Sequence, residues 1–262
     1  MLKAVLPKLG REFLGSAPFE RYGFELPLLV KLLDTAEWLS VQVHPDDAYA
    51  HSVEPDSGFH GKTEAWYLLE GEGEIVYGLG REVDRQTLRQ KALDGSIGEI
   101  LNRVPVCPGD VIYVPAKTIH AIGPGLLLYE VQQRSDLTYR LYDYGRGREL
   151  QLEKGLETAT LKPSPMPRPA PDGEVLLASE HFVLSRHVFS GARRLEAPTE
   201  SFLLVSFVSG QCQREGQNLE LGETFLVGAG EGLELEGHAV LLSVYVPSTE
   251  NLMRFPPQTR VG

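Results

Sequence analysis

Gln42, His44, Glu64 and His120 are the side chains whose types and spacing point to chemistry. In Gln42-Val43-His44 an amide and an imidazole stand two residues apart, and on a strand such residues project from one face. Glu64 opens E-A-W-Y-L-L-E-G, a β-like run whose alternate residues Trp66 and Leu68 are apolar. Gly109, Pro115 and His120 follow as G-x5-P-x4-H, which sets a second imidazole just beyond another strand. Two imidazoles, a carboxylate and a neutral amide oxygen suit a borderline divalent cation such as Zn2+, held at about 2.0–2.2 Å with room for substrate or water. A lone histidine among apolar residues is more often a hydrogen-bonded structural group, and His51, His60, His181, His187 and His238 are read that way. The four are set apart by their joint arrangement at successive strand ends.

The elements that must position them are short. Segments 28–33, 39–43, 64–70, 74–79, 111–114 and 126–132 are rich in Val, Ile, Leu and Tyr and bounded by Gly, Pro and Asp, the signature of strands. Residues 84–104 differ: Leu88, Ala92, Leu93, Ile97, Ile100 and Leu101 recur at spacings near three to four, which predicts two short helices broken at Gly95. Residues 1–24 read as a lead-in, weakly helical around 9–14. In 162–173, Pro163, Pro165, Pro167, Pro169 and Pro171 forbid helix and central strand, so this stretch reads as an extended linker. The β pattern returns at 175–178, 183–189, 202–209, 224–227 and 239–246. A weak internal repeat sets P-G-D-V-I-Y-V-P-A at 108–116 against L-G-E-T-F-L-V-G-A at 221–229. The simplest architecture is mainly β: two barrels joined by a Pro-rich connector.

Composition bounds the rest. A chain of 262 residues makes one large domain or two small ones. Its 27 glycines and 18 prolines exceed the usual share and fit many turns between short strands. The net charge of −11, from 36 acidic against 25 basic residues, disfavours nucleic acid as a partner. A small anion is still admitted, because a local basic cluster overrides a distant field. No apolar run approaches the roughly 20 residues of a membrane helix, and a secretory pattern is lacking. Cys107 and Cys212 have no metal-type spacing. Cytoplasm is the default, with no membrane partner; oligomeric state is left open.

The motifs together are similar to a known family. G-x5-P-x4-H at 109–120 with E-x6-G at 64–71 resembles the cupin signature. L-S-V-Q-V-H-P-D-D (39–47), G-K-T-E-A-W-Y (61–67), P-A-K-T-I-H-A-I-G (115–123) and Y-E-V-Q-Q-R-S-D-L-T-Y-R-L-Y-D-Y (129–144) resemble the type I mannose-6-phosphate isomerases. The resemblance is strong over about 27–160 and loose beyond. It implies two cupin-like jelly-roll barrels. The first is a catalytic domain, 1–161, carrying the helical insertion 84–104. A linker, 162–173, leads to a second, degenerate domain, 174–262, without metal ligands. It implies a cytoplasmic enzyme with one Zn2+ per chain that interconverts mannose 6-phosphate and fructose 6-phosphate through a cis-enediol.

Residue by residue, the match implies Gln42, His44, Glu64 and His120 as the metal set, with Arg140, Lys62 and Glu130 catalytic and Ser40 and Lys31 helping to hold phosphate. An aldose–ketose isomerase needs a base and a charge on the developing enediolate, and both Lys62 and Glu130 qualify as the base. Outside that context Arg140 reads as a surface partner of Asp136 or Asp143, and Trp66 and Tyr67 as core. An alternative is a catalytically inactive metal- or sugar-binding cupin with a binding or regulatory role. An oxygen-using iron cupin is disfavoured, since Gln42 replaces the first histidine of the usual pair. Two departures from the family stand out. Only 26 residues precede Pro27, which shortens one wall of the expected site, and Lys117 replaces the usual glycine before T-I-H, which predicts a side chain close to His120.

Overall fold

The computed structural model describes residues 2–164 and 173–261. In chain order the elements are α1 (Leu2–Leu14, kinked at Gly10), α2 (Ser16–Tyr22), β1 (Leu28–Thr35), β2 (Val41–Val43), α3 (Asp47–Val53), β3 (Glu64–Glu70), β4 (Gly73–Leu79), α4 (Arg85–Leu93), β5 (Leu101–Val106), β6 (Val111–Val114), β7 (His120–Ile122), β8 (Leu126–Gln133), β9 (Tyr139–Tyr142) and α5 (Leu152–Thr158). They continue with β10 (Val175–Ala178), β11 (Val183–Glu196), β12 (Leu203–Arg214), β13 (Gln217–Asn218), β14 (Thr224–Val227), β15 (Gly232–Tyr245) and α6 (Thr249–Leu252). The protein is mainly β. Its chain divides into a first compact unit, Leu28–Pro169, and a second, made of Met1–Pro27 with Ala170–Gly262. Among the described residues no helix is long and apolar enough to cross a membrane.

The first unit holds a four-stranded sheet, β1-β8-β3-β6, and a five-stranded sheet, β5-β4-β7-β2-β9. Period-2 alternation decides what each face buries. Trp66, Leu68, Ile75, Ile112, Val114, Ile122 and Leu128 belong to one core cluster. Val41 and Val43 flank Gln42 and join another, with Val76 and Leu141 of the same sheet and Leu88, Ala92 and Leu156 of α4 and α5. The expected helical stretch 84–104 is helical only in part. Asp84 caps α4 by accepting the Thr87 N–H at 2.7 Å, and Ile97–Glu99 form a single 3-10 turn that buries Ile97 and Ile100. From Leu101 the chain is strand, paired with β4. The spacing of Ile97 and Ile100 is met by that one turn, after which alternating Val104 and Val106 take over as buried strand residues.

Residues 1–27 differ from their expected grouping with the first unit. Leu14 is fully buried and its carbonyl accepts the Phe202 N–H at 2.9 Å, while Ala17 N–H donates to the Glu200 carbonyl at 2.9 Å. These long-range bonds place the lead-in with the second unit. Of the expected linker, residues 165–172 lie outside the described residues, and Pro163 bridges to Leu79.

Among the described residues, the second unit's strands lie in one sheet, in the order β10-β11-β15-β12-β13, with β14 paired to β12. The weak sequence repeat is realised here as a repeated turn. Gly109 N–H donates to Leu68, Asp110 N–H to Cys107, and Leu68 N–H to Asp110; Gly222, Glu223 and Phe207 make the same three bonds to Phe207, Glu220 and Glu223. Even the side-chain brace recurs, with Cys107 N–H on Asp110 Oδ2 and Glu220 N–H on Glu223 Oε2, each at 2.8 Å. Strands β3 and β4 of the first unit correspond to the single long β12. The corner falls at Gly71 (φ +89°) in one and Gly210 (φ +99°) in the other, where a Cβ would overlap the carbonyl oxygen of Gly125 or His238.

Candidate metal centre

Two sheets of the first unit supply the site. On the five-stranded sheet, Gln42 of β2 pairs with His120 of β7 on one side and Arg140 of β9 on the other. On the four-stranded sheet, Glu64 of β3 pairs with Gln132 of β8, and two residues along, Glu130 pairs with both Trp66 and Lys31. His44 follows β2 by one residue, so Gln42 and His44 keep the relation that a two-residue spacing predicts.

His44, Glu64 and His120 converge. Each is 1% exposed, His44 Nε2 lies 3.5 Å from Glu64 Oε2, and His120 Nε2 lies 3.3 Å from Glu64 Oε1. The other imidazole nitrogens face backbone carbonyls: His44 Nδ1 that of Leu137 at 2.9 Å, His120 Nδ1 that of Thr118 at 2.8 Å. A carbonyl only accepts, so Nδ1 carries the proton and Nε2 presents a lone pair. Burial pushes His44 down to about 3, with Lys62 adding to the effect, and burial also lowers His120; both rings are therefore neutral. Burial alone would raise Glu64, but the Lys62 ammonium beside it holds it well below the usual carboxylate range. Two imidazole lone pairs thus face an ionised carboxylate. That arrangement is repulsive on its own and needs a positive charge in its midst. Lys62 meets part of the need, its Nζ 2.8 Å from Glu64 Oε2 and 2.9 Å from His44 Nε2. The donor set and its fixed tautomers fit a divalent cation of the Zn2+ kind.

The remaining residues singled out from the sequence fall around this cluster. Gln42 is half-buried beside His120, its Nε2 3.3 Å from His120 Nε2 and its Oε1 accepting from Ser40 Oγ at 3.3 Å. Ser40 is buried, so it backs the Gln42 amide from within. Glu130 is buried and its carboxyl is raised by burial and then by neighbouring Glu64, against the pull of Lys62 and Lys31. Lys31 donates to Glu130 Oε1 at 2.8 Å and to Gln132 Oε1 at 2.5 Å. Arg140 stands next to Gln42 in register, with its Nη1 on the Glu149 carbonyl at 2.9 Å and its Nε buried without a hydrogen-bond partner. Asp143 is held instead by Arg146 and Arg148. Lys117, expected near His120, adopts φ +72° and its ammonium pairs with Asp46.

Three contributors escaped the sequence reading. The Leu137 and Thr118 carbonyls fix the tautomers, and no side-chain type announces a carbonyl. Trp66 is core, as expected, but its Nε1 also donates to Glu64 Oε1 at 3.2 Å and its ring meets His120 edge-on at 5.6 Å. The two-residue step from Glu64 to Trp66 was the available signal.

The repeat shows what the second unit carries at the matching register. Glu64 pairs with Val114, and Leu203 with Val227; Gln42 pairs with His120, and Leu195 with Leu233. Leu195, Leu203 and Leu233 all lie in that unit's apolar core.

Fold and site together define a β-sheet protein with a buried histidine–carboxylate centre able to hold a divalent cation. The family model for the type I phosphomannose isomerase catalytic domain matches residues 4–81. The chain is 40% identical over 199 residues to a mannose-6-phosphate isomerase of Streptococcus mutans, covering 71% of this chain and 61% of that protein. It is 37% identical over 237 residues to mannose-6-phosphate isomerase ManA of Bacillus subtilis, covering 83% of this chain and 74% of the relative. The crystal structure of the mannose 6-phosphate isomerase from Bacillus subtilis superposes with a TM-score of 0.74 at 32% identity, covering 92% of this chain and 80% of that one. The chain belongs to the mannose-6-phosphate isomerase family, and it spans less than two thirds of the Streptococcus mutans relative's length.

Proposed function

We propose that this protein is a zinc-dependent aldose–ketose isomerase acting on mannose 6-phosphate and fructose 6-phosphate. The observation that carries the proposal is the convergence of His44 Nε2, Glu64 and His120 Nε2 in a buried cluster. These three would hold the ion, with the Gln42 amide completing the set. When bound, Zn2+ supplies Lewis-acid polarisation of the sugar's carbonyl and hydroxyl oxygens.

The chain's own groups account for the rest. Isomerisation moves one proton between C1 and C2 of the open-chain sugar through a cis-enediol. Glu130 fits the role of base: it is buried and its carboxyl is raised, which brings it nearer the working pH. Lys31 orients that carboxylate through its 2.8 Å bond, which places Lys31 on Glu130 while its half-exposed ammonium also faces solvent. Lys62 presents N–H donors beside Glu64, where charge develops on the enediolate oxygens. Arg140, beside Gln42 in register, supplies a permanent positive charge for an oxyanion or the phosphate.

A coupled assay tests this reading. Turnover of mannose 6-phosphate should fall at least about 100-fold on chelation and return with added zinc, and Glu130→Gln should lower kcat by about 100-fold or more. No turnover by the zinc-loaded protein overturns the proposal.

A further inference from the structure

Lys62 sits on a stretch in which three consecutive backbone N–H groups are tied to distant parts of the first unit. Gly61 N–H donates to Asp47 Oδ1 at 2.8 Å, Lys62 N–H to the Pro45 carbonyl at 2.9 Å, and Thr63 N–H to Gln133 Oε1 at 2.8 Å. The Gln133 amide closes the ring by donating through Nε2 to the same Asp47 oxygen at 2.9 Å. Gln133 is 2% exposed, and its own N–H donates to the Thr63 carbonyl at 3.0 Å. A Cβ on Gly61 would come within 2.5 Å of the Asp46 carbonyl carbon and the Asp47 nitrogen, so the two segments are pressed together. One carboxylate oxygen therefore braces the backbone on both sides of Lys62.

We infer that Asp47 is a positioning residue: through Gly61 and Gln133 it holds Lys62 so that its ammonium stands between His44 and Glu64. Asp47 touches none of those three side chains in any contact described above; its effect passes through backbone. Buried bonds of this kind, one shell out from the reacting groups, typically change activity by about 10–100-fold when removed. Asp47 is also the first residue of α3, where a negative charge favours the helix. The two roles separate experimentally. Asp47→Asn keeps the oxygen that both donors need and discards the charge, whereas Asp47→Ala discards the acceptor.

The activity arm of the test rests on the proposed function; the exchange arm does not. In zinc-loaded D47A, amide hydrogen exchange across residues 61–63 should rise about tenfold or more, with residues 49–53 of α3 and the zinc content as in wild type. The kcat for mannose 6-phosphate should fall about tenfold with KM within about twofold. D47N should keep wild-type protection at 61–63 and most of the kcat. Unchanged protection at 61–63 in D47A, or a D47N as impaired as D47A, overturns the inference. Should D47A fail to fold, Gln133→Met removes the same brace from the other side, and wild-type protection at 61–63 in that variant overturns it equally. A wild-type protein without turnover sinks the isomerase reading while the exchange arm still decides Asp47.

Discussion

At the scale of single residues, chemistry type was readable and direction was not. Gln42 and His44 had to share a face because side chains alternate along a strand, and they do. Lys117 shows the opposite case. Its type and position predicted a cation near His120, but its backbone turns left-handed so that its N–H reaches the His44 carbonyl at 2.8 Å, and the side chain leaves toward Asp46. A left-handed backbone is tolerable for lysine and forbidding for a β-branched side chain. Lys117→Val is expected to cost about 2 kcal/mol, while Lys117→Gly stays within about 0.5 kcal/mol of wild type, since relief of strain offsets a half-exposed ion pair. Thermal unfolding of the two variants checks this, and equal melting temperatures would contradict it.

At the scale of elements, the long strands of the second unit and the paired short strands of the first are two versions of one path. Strand β12 covers the course of β3 and β4, and the corner is set by a glycine in each. Only glycine accepts both the positive φ and the missing Cβ space at Gly71 and Gly210. Alanine at either corner should destabilise by more than about 2 kcal/mol, because the added carbon meets backbone that cannot yield. Denaturant unfolding measures it, and a Gly71→Ala protein as stable as the parent would show the corner to be pliable. The strand segments were legible in part because alternation is a local signal. Strands β7 and β9, three and four residues long, were missed. Their pairing with β2 nonetheless puts His120 and Arg140 beside Gln42.

At the scale of the whole molecule, the repeat predicts an asymmetry in metal binding. The first unit sets His44, Glu64 and His120 together, whereas the second sets leucines 195, 203 and 233 at the register of Gln42, Glu64 and His120. Native mass spectrometry should find one zinc per chain. Zinc at about a thousand times its dissociation constant should add roughly 4 kcal/mol of stability, with new exchange protection confined to residues of the first unit. Two bound ions, or protection gained around Leu203, would contradict the assignment. The lead-in residues could not be placed from sequence, because what places them is a set of hydrogen bonds from residues 14–17 to residues 200–202.

By itself the sequence determined the periodicities and the donor types, which depend on residues a few positions apart. Tertiary structure alone decided how those pieces meet. It chose the tautomers of His44 and His120 through the Leu137 and Thr118 carbonyls, folded Lys62 in between, and paired Lys117 with Asp46. The reason is physical: alternation along a strand is fixed by local covalent geometry, while the charge balance of a buried site depends on which distant strands pair and in what register.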